Sequence, residues 1–195
     1  MSLTGSRERH LFMVRPDLED VPAPDAPPGF RLRTWREGDE VQWLEIIRAA
    51  YGGEWSEDAF ERCVRSDPAF RPERLFLATK GSEPELLCGA AGAFQKLIHG
   101  EGTGYVHMLA VRPEFQRIGL GAALLRACLR YFRAQSWRNA VLDTGPHHAA
   151  AVRLYLGHGF LPFPETPDEL RAWRALLGEL GRADLAARLR LGDVA

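Results

Sequence analysis

Residues 111 to 122 read Val-Arg-Pro-Glu-Phe-Gln-Arg-Ile-Gly-Leu-Gly-Ala and join an apolar strand to an amphipathic helix. The strand runs from Tyr105 to Val111, and the helix is expected from Gly119 to Ala134. Glycines at 119 and 121 let the backbone approach a bulky anion, since no side chain stands in the way. The helix start behind them leaves unpaired N–H groups and the positive end of a dipole facing outward. Successive N–H groups in such a turn form a concave anion nest. The transition is therefore suited to a pyrophosphate.

Three nucleotide-type ligands can be weighed on spacing. A dinucleotide fold wants G-x-G-x-x-G directly after its first strand and an acidic residue roughly 20 positions on. Asp143 could supply the acid, but Leu124 fills the third glycine slot and the loop from Val111 to Gly119 is too long. A P-loop needs Gly-Lys-Ser/Thr after the glycines, and none follows. Coenzyme A remains.

Val111, Pro113, Gln116, Gly119 and Gly121 resemble the acetyl-CoA signature of the GNAT superfamily of N-acetyltransferases, Gln/Arg-x-x-Gly-x-Gly/Ala after a strand ending in Val-x-Pro. A second stretch, Ala151-Val-Arg-Leu-Tyr155-Leu-Gly-His-Gly159-Phe160, resembles that superfamily's Ala-x-x-Leu-Tyr-x-x-x-Gly-Phe. The two stand in the family's order with one strand, Ala140 to Asp143, between them.

The resemblance implies an acyltransferase that moves the acetyl group of acetyl-CoA to a primary amine by direct attack. It implies that Gln116, Arg117, Ile118, Gly119, Leu120, Gly121 and Ala122 bind the pyrophosphate, mainly through main-chain N–H groups. Main-chain groups of Leu109, Ala110 and Val111 would pair with the pantetheine arm as a strand would. Tyr155 takes the slot of the tyrosine beside the coenzyme sulfur, where a phenol can protonate or hydrogen-bond the leaving thiolate. The alternative is a buried aromatic that anchors its helix. His148 stands where the second signature commonly has an asparagine touching the pantetheine arm. No metal is implied, and the pair His147-His148 lacks a helix-spaced partner.

His-Met-Leu-Ala-Val at 107 to 111 further resembles the strand of arylalkylamine N-acetyltransferases, where a histidine at this slot helps to deprotonate the amine. Those enzymes carry a second histidine where this chain has Tyr105. Imidazole titrates near neutrality, so His107 can relay that proton or serve as a half-buried hydrogen-bonded residue. On an alternating strand Tyr105, His107 and Leu109 share one face. The acceptor pocket is expected between the loop joining the first two helices, with Tyr51, Glu54 and Trp55, and the segment Pro162 to Glu165. Trp55 could instead pack beneath its own loop.

Around this centre the alternation of apolar residues predicts strands at 10–14, 30–35, 75–79, 85–94, 104–111, 140–143 and 159–163. Helices are expected from Gly38 to Ala50, after Ser56, over 119–134 and over 147–157. That order is a mixed α/β layer design, and the resemblance implies a mostly antiparallel central sheet flanked by helices. The domain assignment is an N-terminal extension with a five-proline connector at 1–29, the acetyltransferase domain at 30–164, and a helical C-terminal extension at 165–195. Residues 1–9 are polar and are expected to be mobile. Leu170, Trp173, Leu177 and Leu180 form one helical stripe at the C-terminus, either a cap on the core or a homodimer contact.

A formal net charge of −1 offers no excess positive potential for nucleic acid or an anionic membrane. Cys63, Cys88 and Cys128 have no metal-type spacing, and Cys128 falls on the stripe Leu120, Leu124, Cys128, Phe132 as a small hydrophobe. No signal peptide or membrane-length apolar run is read, which makes cytoplasm the expected location. The expected partner is an amine-bearing acceptor, a small molecule in preference to a protein. The competing reading from another class is a catalytically silent acyl-CoA-binding sensor or interaction module on the same scaffold.

Overall fold

A computed structural model describes residues 10–82 and 84–193. The expectation of a mobile segment at 1–9 lies outside the described residues. In chain order the elements are β1 (Leu11–Arg15), β2 (Phe30–Thr34), α1 (Glu40–Tyr51), β3 (Leu75–Lys80), β4 (Leu86–Phe94), β5 (Thr103–Val111) and α2 (Leu120–Ala134). They continue with β6 (Asn139–Thr144), α3 (Ala149–Leu156), β7 (Leu161–Pro162), α4 (Pro167–Glu179) and α5 (Ala183–Arg188). The expected mixed α/β class is what the chain adopts. The helix expected after Ser56 is instead a short π-helical turn, Glu61–Arg65. Among the described residues no helix is long and apolar enough to cross a membrane.

Among the described residues the chain divides into two compact units, one within residues 17–140 and the other of residues 10–16 with 141–193. In the first, β2, β3, β4 and β5 pair in that order, each pair antiparallel. Both α1 and α2 pack on β4 and β5. Small side chains make this close seating feasible: Ala90, Ala91 and Ala93 of β4 are wholly buried. Along α2, Leu120, Leu124, Cys128 and Phe132 repeat every four residues and are buried, so the helical stripe read from sequence is the core face. Burial pushes the Cys128 thiol well above its ordinary range, as befits a hydrophobe rather than a reactive group.

Gly104 of β5 is required by this packing. A Cβ there would stand 2.4 Å from the Phe132 ring. Gly104→Ala should therefore cost about 1–3 kcal/mol of stability through overpacking, read as a lower melting temperature. Adding Phe132→Leu should recover part of the loss. A Gly104→Ala protein that melts like wild type would contradict the packing described.

An ion-pair network ties β2 to the start of α1. Arg33 grips both carboxylate oxygens of Asp39 at 2.7 and 2.8 Å and donates through Nε to Glu85 at 2.7 Å. The Arg33 guanidinium holds the Glu85 carboxyl below its ordinary value of 4.5. A depressed folded-state pKa means the unfolded chain binds the proton more readily. That stability is fully present above the ordinary carboxylate range and drains away as pH falls below it. Arg33→Gln should lower stability by about 2–3 kcal/mol at neutral pH and flatten the acid limb of a stability–pH curve. An unchanged acid limb would remove this network from the account.

In the second unit β6, β1 and β7 lie in that order, with β1 and β7 antiparallel through Met13↔Pro162 and Val14↔Leu161. The expected C-terminal helices form. Of the stripe, Trp173 and Leu177 are fully buried, Leu180 is nearly so and Leu170 is half-buried.

Candidate functional site

In the first unit, β5 carries one residue more than β4 between two points of register: Ala90 faces Ala110, while Gly92 faces His107. This bulge is centred on Met108, whose φ of 48° lies in the left-handed region. It resets the alternation of side chains, so the single face expected for Tyr105, His107 and Leu109 ends at His107. Tyr105 and His107 do share a face, with ring centroids 5.8 Å apart. Past the bulge, Ala110 and Val111 pair with Ala90 and Gly89, while the Leu109 carbonyl accepts a 3.0 Å hydrogen bond from the Tyr51 hydroxyl.

The loop after Val111 is braced at its start. Arg112 donates to the Leu87 carbonyl at 2.8 Å and pairs with Glu45 at 2.6 Å. The Gln116 side-chain amide then donates back to the Val111 carbonyl at 3.0 Å, closing the loop on the strand it left. Beyond it the backbone turns left-handed at Arg117 (φ 62°) and again at Gly119 (φ 98°). The first main-chain bond of α2 runs from Ala123 N–H to the Gly119 carbonyl at 3.0 Å. The amides of Leu120, Gly121 and Ala122 precede it and have no carbonyl within the helix to bind. Gln116, Arg117, Ile118 and Gly119 are exposed, whereas Leu120 is buried and anchors the helix. The Arg117 guanidinium makes none of the ion pairs found among the described residues. The result is an open cradle of N–H donors at a dipole's positive end, with a cation beside it. That chemistry fits a pyrophosphate.

The segment after α1 is held from two sides. Arg48 donates to the Trp55 carbonyl at 2.6 Å and pairs with Glu57 at 2.6 Å. The Trp55 indole N–H donates to the Gly52 carbonyl at 2.8 Å, and its ring lies 6.2 Å from that of Tyr51. Of the three residues expected to face an acceptor, Glu54 and Trp55 line a surface recess of about 540 Å³. Tyr51 does not line that recess; its hydroxyl bonds the Leu109 carbonyl of β5.

His107 is half-buried. Its ring stacks on Phe94 at 4.8 Å, and its Nε2 stands 2.7 Å from the Cys63 carbonyl of the π-helical turn. Gly92 opposite leaves room for this pair, because a Cβ there would come within 3.0 Å of the Phe94 ring and 3.2 Å of the His107 Cβ.

The second unit holds Tyr155 and His148. α3 ends where the N–H groups of His158 and Phe160 both bind the Tyr155 carbonyl, at 2.9 and 3.1 Å. Gly159 makes this reversal at φ 79° and returns Phe160 to within 6.0 Å of the Tyr155 ring. The spacing Leu-Tyr-x-x-x-Gly-Phe is thus a helix stop that folds back beneath its own tyrosine. Tyr155 is 6 % exposed, so it is an anchor of its helix whatever else it does. His148 is the N-cap residue of α3, and its ring lies 4.1 Å from that of His147.

Comparison with known proteins agrees with both signature segments. The profile of the Acetyltransferase (GNAT) family matches residues 41–160. A mycothiol acetyltransferase of Stackebrandtia nassauensis is 34 % identical over 165 residues, covering 80 % of this chain and 52 % of that protein. A mycothiol acetyltransferase of Thermobispora bispora is 32 % identical over 168 residues, covering 80 % of this chain and 55 % of that protein. The chain therefore spans about half the length of the curated relatives it matches. Among solved structures, a GCN5-related N-acetyltransferase from Sphaerobacter thermophilus superposes with a TM-score of 0.63 at 23 % identity. That superposition covers 78 % of this chain and 48 % of the other.

Proposed function

The chain belongs to the GNAT family of acetyltransferases, and on that premise we propose that it moves the acetyl group of acetyl-CoA to a primary amine by direct attack. The observation that carries the reading is the braced cradle at Gln116–Ala122, whose exposed main-chain N–H groups and Arg117 suit a pyrophosphate. Acetyl-CoA, when bound, supplies a thioester carbonyl as the electrophile. Leu109, Ala110 and Val111 would hold the pantetheine arm through their main chain, with His148 as a further contact from the second signature.

The amine reaches neutral pH as an ammonium and must lose a proton before it can attack. His107 is the proposed base. The departing thiolate must gain a proton or a hydrogen bond, and Tyr155 is the proposed donor on the strength of its signature position. Tyr51, Glu54 and Trp55 are proposed to face the acceptor, with Glu54 drawing the ammonium.

The acceptor is proposed to be a small molecule, and the relatives' name makes mycothiol-related amines the first to try. Cytoplasmic operation belongs to the same proposal, and the three free cysteines suit a reducing compartment. Calorimetric titration with acetyl-CoA, and separately with NADH, tests the ligand assignment. Binding of acetyl-CoA alone is expected. Binding of NADH alone would overturn it in favour of a dinucleotide site.

A further inference from the structure

The π-helical turn after Ser56 has a chemical consequence at His107. Within Glu61–Arg65 the helix is underwound, its turn widened by one residue, with Ser66 N–H binding the Glu61 carbonyl at 2.8 Å, five positions back. In an α-helix the Cys63 carbonyl would receive Asp67 N–H, but that donor goes to the Val64 carbonyl at 3.2 Å. In a π-helix it would receive the N–H of residue 68, which is a proline and has none. The Cys63 carbonyl is thus left without a helical donor, and the His107 ring supplies one at 2.7 Å.

A carbonyl oxygen can only accept. The ring nitrogen facing it, Nε2, must therefore carry the hydrogen. Stacking on Phe94 and the room left by Gly92 hold the ring in place. We infer that the Cys63 carbonyl, orphaned by Pro68, fixes neutral His107 as its Nε2–H tautomer and makes Nδ1 the nitrogen that takes the acceptor's proton. The second half of this inference rests on the acetyl-transfer reading; the first does not.

The step balances as follows. An N–H bond of the ammonium breaks, and an Nδ1–H bond forms directly or through a bridging water. The freed lone pair on the amine attacks the thioester carbonyl, the C–S bond breaks, and the second proton of the amine nitrogen passes to the departing thiolate, leaving an amide and a free thiol. His107 is meanwhile an imidazolium whose Nε2–H still donates to Cys63, now as a charge-assisted bond. The proton then passes from Nδ1 to solvent and the ring returns to its starting tautomer. Cys63 is here a positioning residue, acting through its main chain.

Long-range proton–nitrogen spectra of the full chain labelled with ¹⁵N-histidine test the tautomer, with His107→Gln identifying the signal. A proton on Nε2 and a pyridine-like Nδ1 are expected above the titration range. A proton on Nδ1, or an even mixture, would overturn the inference. His107→Gln keeps an N–H for the Cys63 carbonyl but has no basic nitrogen. Its melting temperature should stay near wild type while kcat falls about a hundredfold, with acetyl-CoA affinity unchanged. His107→Leu should melt lower, because it leaves the carbonyl orphaned. Undiminished turnover in His107→Gln would overturn the role of Nδ1. A wild-type protein that binds acetyl-CoA but acetylates no amine would overturn the transfer reading, while the spectrum still judges the tautomer.

Discussion

Gly119→Val is expected to weaken acetyl-CoA binding about 10- to 100-fold, a loss of about 1–3 kcal/mol. The residue ahead of α2 sits at φ 98°, ψ −4°, which a β-branched side chain adopts only under strain. The protein itself has space for a side chain, since a Cβ there would meet nothing closer than Pro27 Cγ at 3.6 Å. The penalty is therefore one of backbone conformation. A valine relieves it by rotating the peptide planes on either side, and those planes aim the N–H groups of the cradle. Titration by calorimetry reads the change, with far-ultraviolet circular dichroism as the check that α2 persists. Wild-type affinity in a folded Gly119→Val protein would move the coenzyme site elsewhere.

Tyr155→Phe should lower kcat about 10²-fold or more, while the KM for acetyl-CoA stays within a few-fold of wild type. The substitution removes one oxygen from a ring that is 6 % exposed and leaves the ring's contact with Phe160 intact. The melting temperature, read alongside, separates the chemical role from the anchoring one. Steady-state kinetics with the best available amine make the comparison. An unchanged kcat would leave Tyr155 as an anchor alone.

The sequence made the most important transition legible because the cradle is a local device. A strand, a loop of fixed length, glycines at 119 and 121 and a four-residue apolar repeat each follow from neighbouring residues. The second signature was legible for the same reason: Gly159 and Phe160 close a helix end within five residues of Tyr155. The bulge at Met108 gave no such signal. Methionine has no preference for φ 48°, and the extra residue exists only in the register of β5 against β4. Alternation along the sequence therefore put Leu109 on the wrong face. The bond from Tyr51 to the Leu109 carbonyl spans 58 positions and depends on that bulge, so it too could only be seen in three dimensions. His107 is an intermediate case. Its residue type marked it as a candidate, but its donor geometry depends on the missing N–H of Pro68, 39 residues away and on a different element. A proline just after a short helix was the available sign.

Amine-dependent acetyl transfer is the central claim of the proposal. It is tested most directly by following free thiol release from acetyl-CoA in the presence of an amine panel that includes mycothiol-related amines. The account predicts thiol release that requires an amine, saturates with it, and yields an equal amount of acetylated product. Tight acetyl-CoA binding with no amine-dependent release across the panel would contradict it, and would leave a coenzyme-binding sensor on the same fold.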